Sequence, residues 1–442
     1  MHDVTAPIAE RHYPKVPGLI RRTRGDMSAE AIARRSAERS VVLESRPRNP
    51  QLISSAHGYI RELLLTIPAY AGESPVAGQR NPLADVYRDL LQKLPKTTAL
   101  IVMTHQAIAS TVQLWLDAAG FPEARVVVVP DHLHFSIWAE DGYVIVKDGA
   151  SGETFFLEPY EFPRYGDGLI ADFVSHQTDF KDTQAPLYFQ GGNVLVGDDF
   201  FFIGGDYPAN SLRYINNVIL PNAGESPADA VRRLYREYMD GQRTLHYIGS
   251  TVQVPAQTER QITVNGESWT ELLYLGNRPG TVQPLFHIDM FLTLAGRDAA
   301  GRYQVLVGDP RLAATLLGVR LWPHAMVNVF DNIAEELRRR GFAVTRNPLP
   351  LAYVDDASTK ERIWYFATAN NALVQIPQAG VRDVWLPSYG FGNWTSLSVT
   401  DTGNRQIWES LGFQVHMLGD FHPFAENLGA VHCIKKYLAR GD

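Results

Sequence analysis

His287–Leu317 reads HIDMFLTLAGRDAAGRYQVLVGDPRLAATLL, and this stretch decides the class of fold. Two apolar runs, 285–295 and 302–308, flank a short polar segment with glycine at each end, the pattern of a β-hairpin. Beyond it, Met326–Arg340 has helical apolar spacing and Phe342–Thr345 is a short apolar strand. Hairpin, helix and strand make one unit. The helix-to-strand half recurs at Pro82–Leu94 into Ala99–Met103, Ala107–Ala119 into Arg125–Val129, Pro227–Asp240 into Leu245–Gly249, and Arg405–Leu411 into Phe413–Leu418. Further hairpins are expected at 133–147 with 153–158, 187–196 with 200–204, and 363–369 with 372–376, and a fifth first strand runs through Cys433 and Ile434. Five such α/β units suggest a circular array of small sheets, the alternative being an ordinary mixed α/β domain.

Residues 1–80 are richer in Arg, Ser and Ala. Helix-like spacing at 28–40 and 51–65, the second carrying Leu52, Ile53, Tyr59, Ile60 and Leu63 to Leu65, marks them as an N-terminal helical extension. Residues 81–442 are then expected to form one main domain. With 45% hydrophobic and 20% charged residues the chain is a globular protein, and its net charge of −7 gives no basic footprint for nucleic acid. One cysteine excludes an internal disulfide. No secretory leader pattern and no apolar run of about 18 residues occurs, so no membrane partner and a cytoplasmic location are expected. Oligomeric state is not legible.

Chemistry-bearing residues gather on the first strands. Trp138–Tyr143 reads WAEDGY, Gln190–Asn193 reads QGGN, His287–Asp289 reads HID, and Asn427–Lys436 reads NLGAVHCIKK around Cys433. A lone cysteine is more often a small buried hydrophobe than a catalyst. Here His432 abuts it and Lys435 and Lys436 follow, and nearby positive charge favours thiolate; the other reading of the lysines is exposure to solvent. On a strand, His287 and Asp289 would share one face. A guanidinium is planar, permanently charged and forked, so its matching site is a pair of carboxylates. Asp141 and Asp289 could supply that clamp, Cys433 could attack the central carbon, and His287 could act as acid and base.

These stretches resemble the guanidine-modifying (pentein) superfamily, and within it the catalytic domain of peptidylarginine deiminases. WAEDGY resembles their Trp-x-x-Asp motif, HIDMFLTLAG their His-x-Asp strand, FFFIGGDYPANS the segment after their Gly-Asn strand, and GDFHPFAENLGAVHC the stretch that carries the nucleophile. The resemblance spans residues 124–438. It implies a five-bladed pseudo-symmetric α/β propeller of ββαβ modules, and hydrolysis of peptide-linked or protein-linked arginine to citrulline and ammonia without a cofactor. It implies Cys433 as nucleophile, His287 as acid and base, and Asp141 and Asp289 as guanidinium clamp. Further substrate contacts are Trp138 along the aliphatic stem, Arg164 on a substrate backbone carbonyl, and Gln190 and Asn193 in the QGGN segment.

The departures are informative. Where animal members carry calcium-binding acids this chain has Val144 and Leu195, so two hard oxygen ligands are missing. Glu140 remains as a residual candidate, no full metal site is expected, and calcium-independent activity follows. Gln190 stands where free-arginine and agmatine deiminases often carry Glu. The same four residues suit a deiminase, dihydrolase or amidinotransferase acting on free arginine, methylarginine or agmatine. A catalytically silent arginine-binding pentein is the alternative of another class.

Overall fold

The computed structural model describes residues 46–73, 80–164, 166–218 and 221–442. The helix expected at 28–40 lies outside them. The chain forms two compact units, the first containing residues 82–93 and 248–432, the second the described parts of 16–81 with 94–247 and 433–442.

Among the described residues the second unit holds three sheets. In one, strands 435–441, 59–67, 99–105 and 125–129 lie side by side, antiparallel at the first pair and parallel thereafter. The second orders strands 50–52, 144–148, 154–158 and 181–184, with the 144–158 hairpin joined in parallel by 181–184. The third joins the hairpin of 194–196 and 200–204 to strand 244–248. The hairpin strand 144–148 shows how such sheets build their core. Successive side chains leave a strand on opposite faces, so Val144 and Val146 enter one apolar cluster with Leu157 and Phe201, while Ile145 enters another with Leu64, Met103 and Phe156.

The first unit repeats the pattern twice. The hairpin of 292–297 and 303–309 takes strand 343–348 in parallel, and that of 373–375 and 382–388 takes 413–420 in parallel. Helix Pro310–Leu317 follows the first hairpin directly. The Asp309 carboxylate accepts from the amides of Arg311 and Leu312, Pro310 needs no partner at the first position, and Gly318 ends the helix in the left-handed region. Helix Val327–Arg339 buries Val329, Phe330, Ile333, Ala334 and Leu337, the face its spacing gives. A further sheet of strands 258–264, 267–273, 361–366 and 351–356 has no counterpart in the repeat. The result is a mixed α/β fold of many small sheets.

Two sequence expectations fail here. Residues 51–65 are not helical, since Pro50–Leu52 and Tyr59–Ile67 are strands. Leu63, Leu64 and Leu65 are fully buried in succession, because the strand is paired on both edges and covered on both faces. Such a strand is an unbroken apolar run, and periodicity cannot separate it from a buried helix. The hairpin expected between 363–369 and 372–376 is also wrong. Strand 361–366 pairs with 351–356, whereas 373–375 pairs with 382–388, so Asn370 and Asn371 connect different sheets.

Within the first unit, buried His422 packs between strand and turn. Its Nε2 donates to the Tyr389 carbonyl at 2.8 Å and its Nδ1 accepts from the Tyr365 hydroxyl at 2.6 Å. Burial lowers its pKa to about 4. Between pH 6.5 and 4 the unfolded chain therefore binds a proton that the folded chain refuses, and stability falls as pH drops. Asp401, raised to about 6 by burial, acts in the opposite sense over pH 6 to 3.8. We expect His422→Gln to be less stable at pH 7 yet to lose about 2–3 kcal/mol less on acidification to pH 4.5. Urea unfolding at the two pH values checks this, and an unchanged pH dependence would contradict the assignment.

Candidate active site

The chemistry-bearing stretches are turns rather than strands. Trp138–Tyr143 ends where strand Val144–Asp148 begins, Gly191–Asn193 is a tight 3₁₀ turn before Val194–Val196, and Ile288–Met290 another before Leu292–Arg297. Cys433 lies in a turn just before strand Lys435–Gly441. The alternation argument for His287 and Asp289 thus does not apply, since His287 is extended and Asp289 sits inside the turn. Each turn leads into a strand of a small sheet.

In the second unit, Asp141 is buried and its Oδ2 accepts from Nη2 of Arg164 at 2.6 Å. The same guanidinium donates through Nε to Asp167, whose carboxylate also accepts from the Ser136 amide and hydroxyl, both at 2.6 Å. Arg164 therefore stands in an ion-pair chain on the Asp141 carboxylate. Burial raises the Asp141 pKa, and the charges of Arg164 and Lys436 oppose the rise. The Gly191 amide donates to the Asp141 carbonyl at 3.0 Å, which fixes Gln190 to Asn193 beside the Asp141 turn. Trp138, Gln190 and Asn193 are all buried in this neighbourhood.

Cys433 is buried, and its carbonyl accepts from the Glu140 amide at 3.1 Å. The lysines that follow it do not face solvent. Lys435 donates to Oε2 of Glu140 at 2.8 Å, and Lys436 to Oε1 at 2.8 Å, to the Glu140 carbonyl at 3.2 Å and to the Tyr143 carbonyl at 2.8 Å. Burial depresses the Lys436 pKa while Glu140 supports its charge.

In the first unit, His287 and Asp289 are each about 1% exposed, and the His287 ring stacks on Phe286 at 4.1 Å. Nδ1 of His432 donates to Asp289 Oδ2 at 2.8 Å. The Asn371 side chain accepts from the Ala430 and His432 amides at 3.1 and 2.8 Å, holding the turn that leads to Cys433. Sequence reasoning missed His432 and Asn371 as supports, and Asp167 as partner of Arg164. A signal existed for Asp167, three residues beyond Arg164. None existed for Asn371, which lay in the tip of the hairpin that does not form.

No protein-family profile and no curated protein sequence matches the chain. Solved structures do. A "Putative Arginine Deiminase" from Porphyromonas gingivalis superposes with a TM-score of 0.57 at 14% identity, over 88% of this chain and 97% of that one. A "putative peptidyl-arginine deiminase" gives 0.55 at 12%, over 89% and 99%, and an agmatine deiminase of Enterococcus faecalis 0.53 at 14%, over 88% and 95%. The fold is that of the guanidine-modifying, or pentein, enzymes. At such identity the likeness is one of fold.

One backbone position in this chain tests the packing of the site. A Cβ at Gly191 would lie 1.8 Å from the Glu140 carbonyl oxygen and 2.8 Å from that of Tyr143, both backbone atoms that cannot swing aside. Gly191→Ala is expected to cost about 2–4 kcal/mol, read as a lower melting temperature. An unchanged melting temperature would mean that the two turns do not meet this closely.

Proposed function

We propose that this chain is a Cys-dependent hydrolase of guanidino groups, giving a ureido product and ammonia. The observation that carries the proposal is that Asp141, a buried carboxylate, already accepts a guanidinium, that of Arg164. A carboxylate so placed suits a planar, permanently charged donor fork. The family resemblance of the four turns supplies the remaining roles, and the five small sheets other than that of strands 258–264, 267–273, 361–366 and 351–356 are read as the five blades of a propeller.

On this reading the substrate guanidinium replaces that of Arg164 on Asp141, and Asp289, held by His432, is the second clamp. The Cys433 thiolate attacks the guanidinium carbon and forms a C–S bond, giving a tetrahedral adduct. The C–N bond then breaks, and ammonia leaves with a proton from His287. His287 next takes a proton from water, whose oxygen adds to the same carbon. The C–S bond breaks, the ureido product departs and the thiolate is restored. Atoms balance as one guanidinium and one water giving one urea and one ammonium.

The first substrate class is a small guanidino compound, free arginine or agmatine, in line with the solved structures of the same fold. Arginine within a peptide is the second. It is supported by the peptidylarginine deiminase character of WAEDGY and GAVHC, and by the fact that the guanidinium on Asp141 is borne by a polypeptide.

Ureido-product formation from free arginine, agmatine and a blocked arginine amide should separate these classes. Cys433→Ser is expected to lower the rate at least about 10³-fold with each accepted substrate. Full activity in that variant would refute the mechanism, and turnover of the blocked amide alone would refute the small-molecule reading. Arg164→Gln should move the acid limb of kcat/KM to higher pH, because Asp141 is the ionised partner and loses a cation that opposes its raised pKa. A limb that stays in place would detach Asp141 from substrate binding.

A further inference from the structure

The Lys436 ammonium has an environment otherwise found around metal ions. It is enclosed and is held by three oxygens: one carboxylate oxygen and two backbone carbonyls. These oxygens all belong to the turn that bears Asp141. The residues where the resemblance would place calcium-binding acids, Val144 and Leu195, are buried apolar strand positions. Calcium takes six to eight oxygen ligands, and here the available oxygens already surround an ammonium. The residues present do not fit a calcium ion.

We propose that Lys436 is a tethered cation that takes the place of a bound metal and, through Glu140, positions the Asp141 turn against the Cys433 segment. Three links join the two segments: the Glu140 amide to the Cys433 carbonyl, the Glu140 carboxylate to both lysines, and Lys436 to the Glu140 and Tyr143 carbonyls. Because Lys436 lies three residues after Cys433 and Glu140 one residue before Asp141, the contact sets where the thiol stands relative to the carboxylate. A metal would set the same distance only when bound, whereas the covalent tether makes it permanent. Lys436 is thus a positioning residue in the deimination reading above, on which the inference rests.

The test removes the ammonium and returns it. Lys436→Ala keeps Cβ, so propylammonium is the missing fragment, and tetramethylammonium has the same charge without N–H donors. We expect Lys436→Ala to melt at least several degrees lower and to show kcat reduced ten-fold or more with KM changed less than three-fold. Propylammonium should restore both properties saturably and tetramethylammonium neither. Equal effects of the two ions would overturn the proposal. Should the variant not fold, Glu140→Gln, which retains the side-chain shape, should show the same kcat loss, and an unchanged kcat would count against it. On the wild-type chain, millimolar calcium should leave the melting temperature unchanged with or without prior chelator treatment; a rise of several degrees would overturn the proposal. The melting experiments keep their meaning if wild type makes no ureido product, an outcome that would sink only the deimination reading.

Discussion

Three buried or half-buried cations facing three buried carboxylates hold the Asp141 turn. Lys435 and Lys436 meet Glu140, and Arg164 meets Asp141 and Asp167. Removing ions from water costs several kcal/mol each, repaid only when every partner is present and hydrogen-bonded. The cluster therefore contributes little net stability as a whole, yet the loss of any one member strands another in a dry site. What it opposes is neutralisation of Asp141. Burial alone would drive Asp141 towards the neutral acid, and the cations around it oppose this. On the proposed reading, a dry carboxylate that binds a guanidinium needs such a counter-charge before substrate arrives.

The same cluster joins distant parts of the chain. Strand 435–441 lies antiparallel to 59–67, with Lys435 opposite Leu65 and Lys436 opposite Leu64. The Cys433 turn is thus anchored on one side by an apolar strand near the other end of the described chain. On the other side it is anchored by Glu140, almost three hundred residues away in sequence. Closing so long a loop costs entropy that local propensity cannot offset, so hydrophobic pairing sets the strand and the ion cluster sets the turn.

How far the sequence revealed this follows from the same physics. The helices were legible because their apolar stripes recur at i, i+3 and i+4, as in 82–93, 227–238 and 327–339. The hairpins around 144–158 and 292–309 were legible because polar turns interrupt apolar runs. Residues 51–65 were not, because a strand covered on both faces has no period to show. The first strands were assigned a few residues early: Trp138–Tyr143, Gly191–Asn193 and Ile288–Met290 are turns that mimic strand composition while bending the chain. That shift matters, since a turn can bury Asp141, Asn193 and Asp289 without the alternation by which a pleated strand sends successive residues to opposite faces. The lysine pair was legible as charge but not as direction. Composition places lysines at the surface, and only the presence of Glu140 with two carbonyls explains why these two are inside.

Within the cluster the cations divide into fixed and movable. The side chains of Lys435 and Lys436 are 0% and 6% exposed, while that of Arg164 is 25% exposed. Arg164 alone of the three has a path to water, and its loop segment lies in neither a helix nor a strand. On the proposed reading, an incoming guanidinium exchanges with Arg164 charge for charge, so that Asp141 stays paired while Asp167 retains the Ser136 donors. Exchange with either lysine would instead require opening the link between Glu140 and the Cys433 segment. The arrangement lets Asp141 change partners without disturbing the contacts that hold the Cys433 segment, a separation that a single shared cation could not provide.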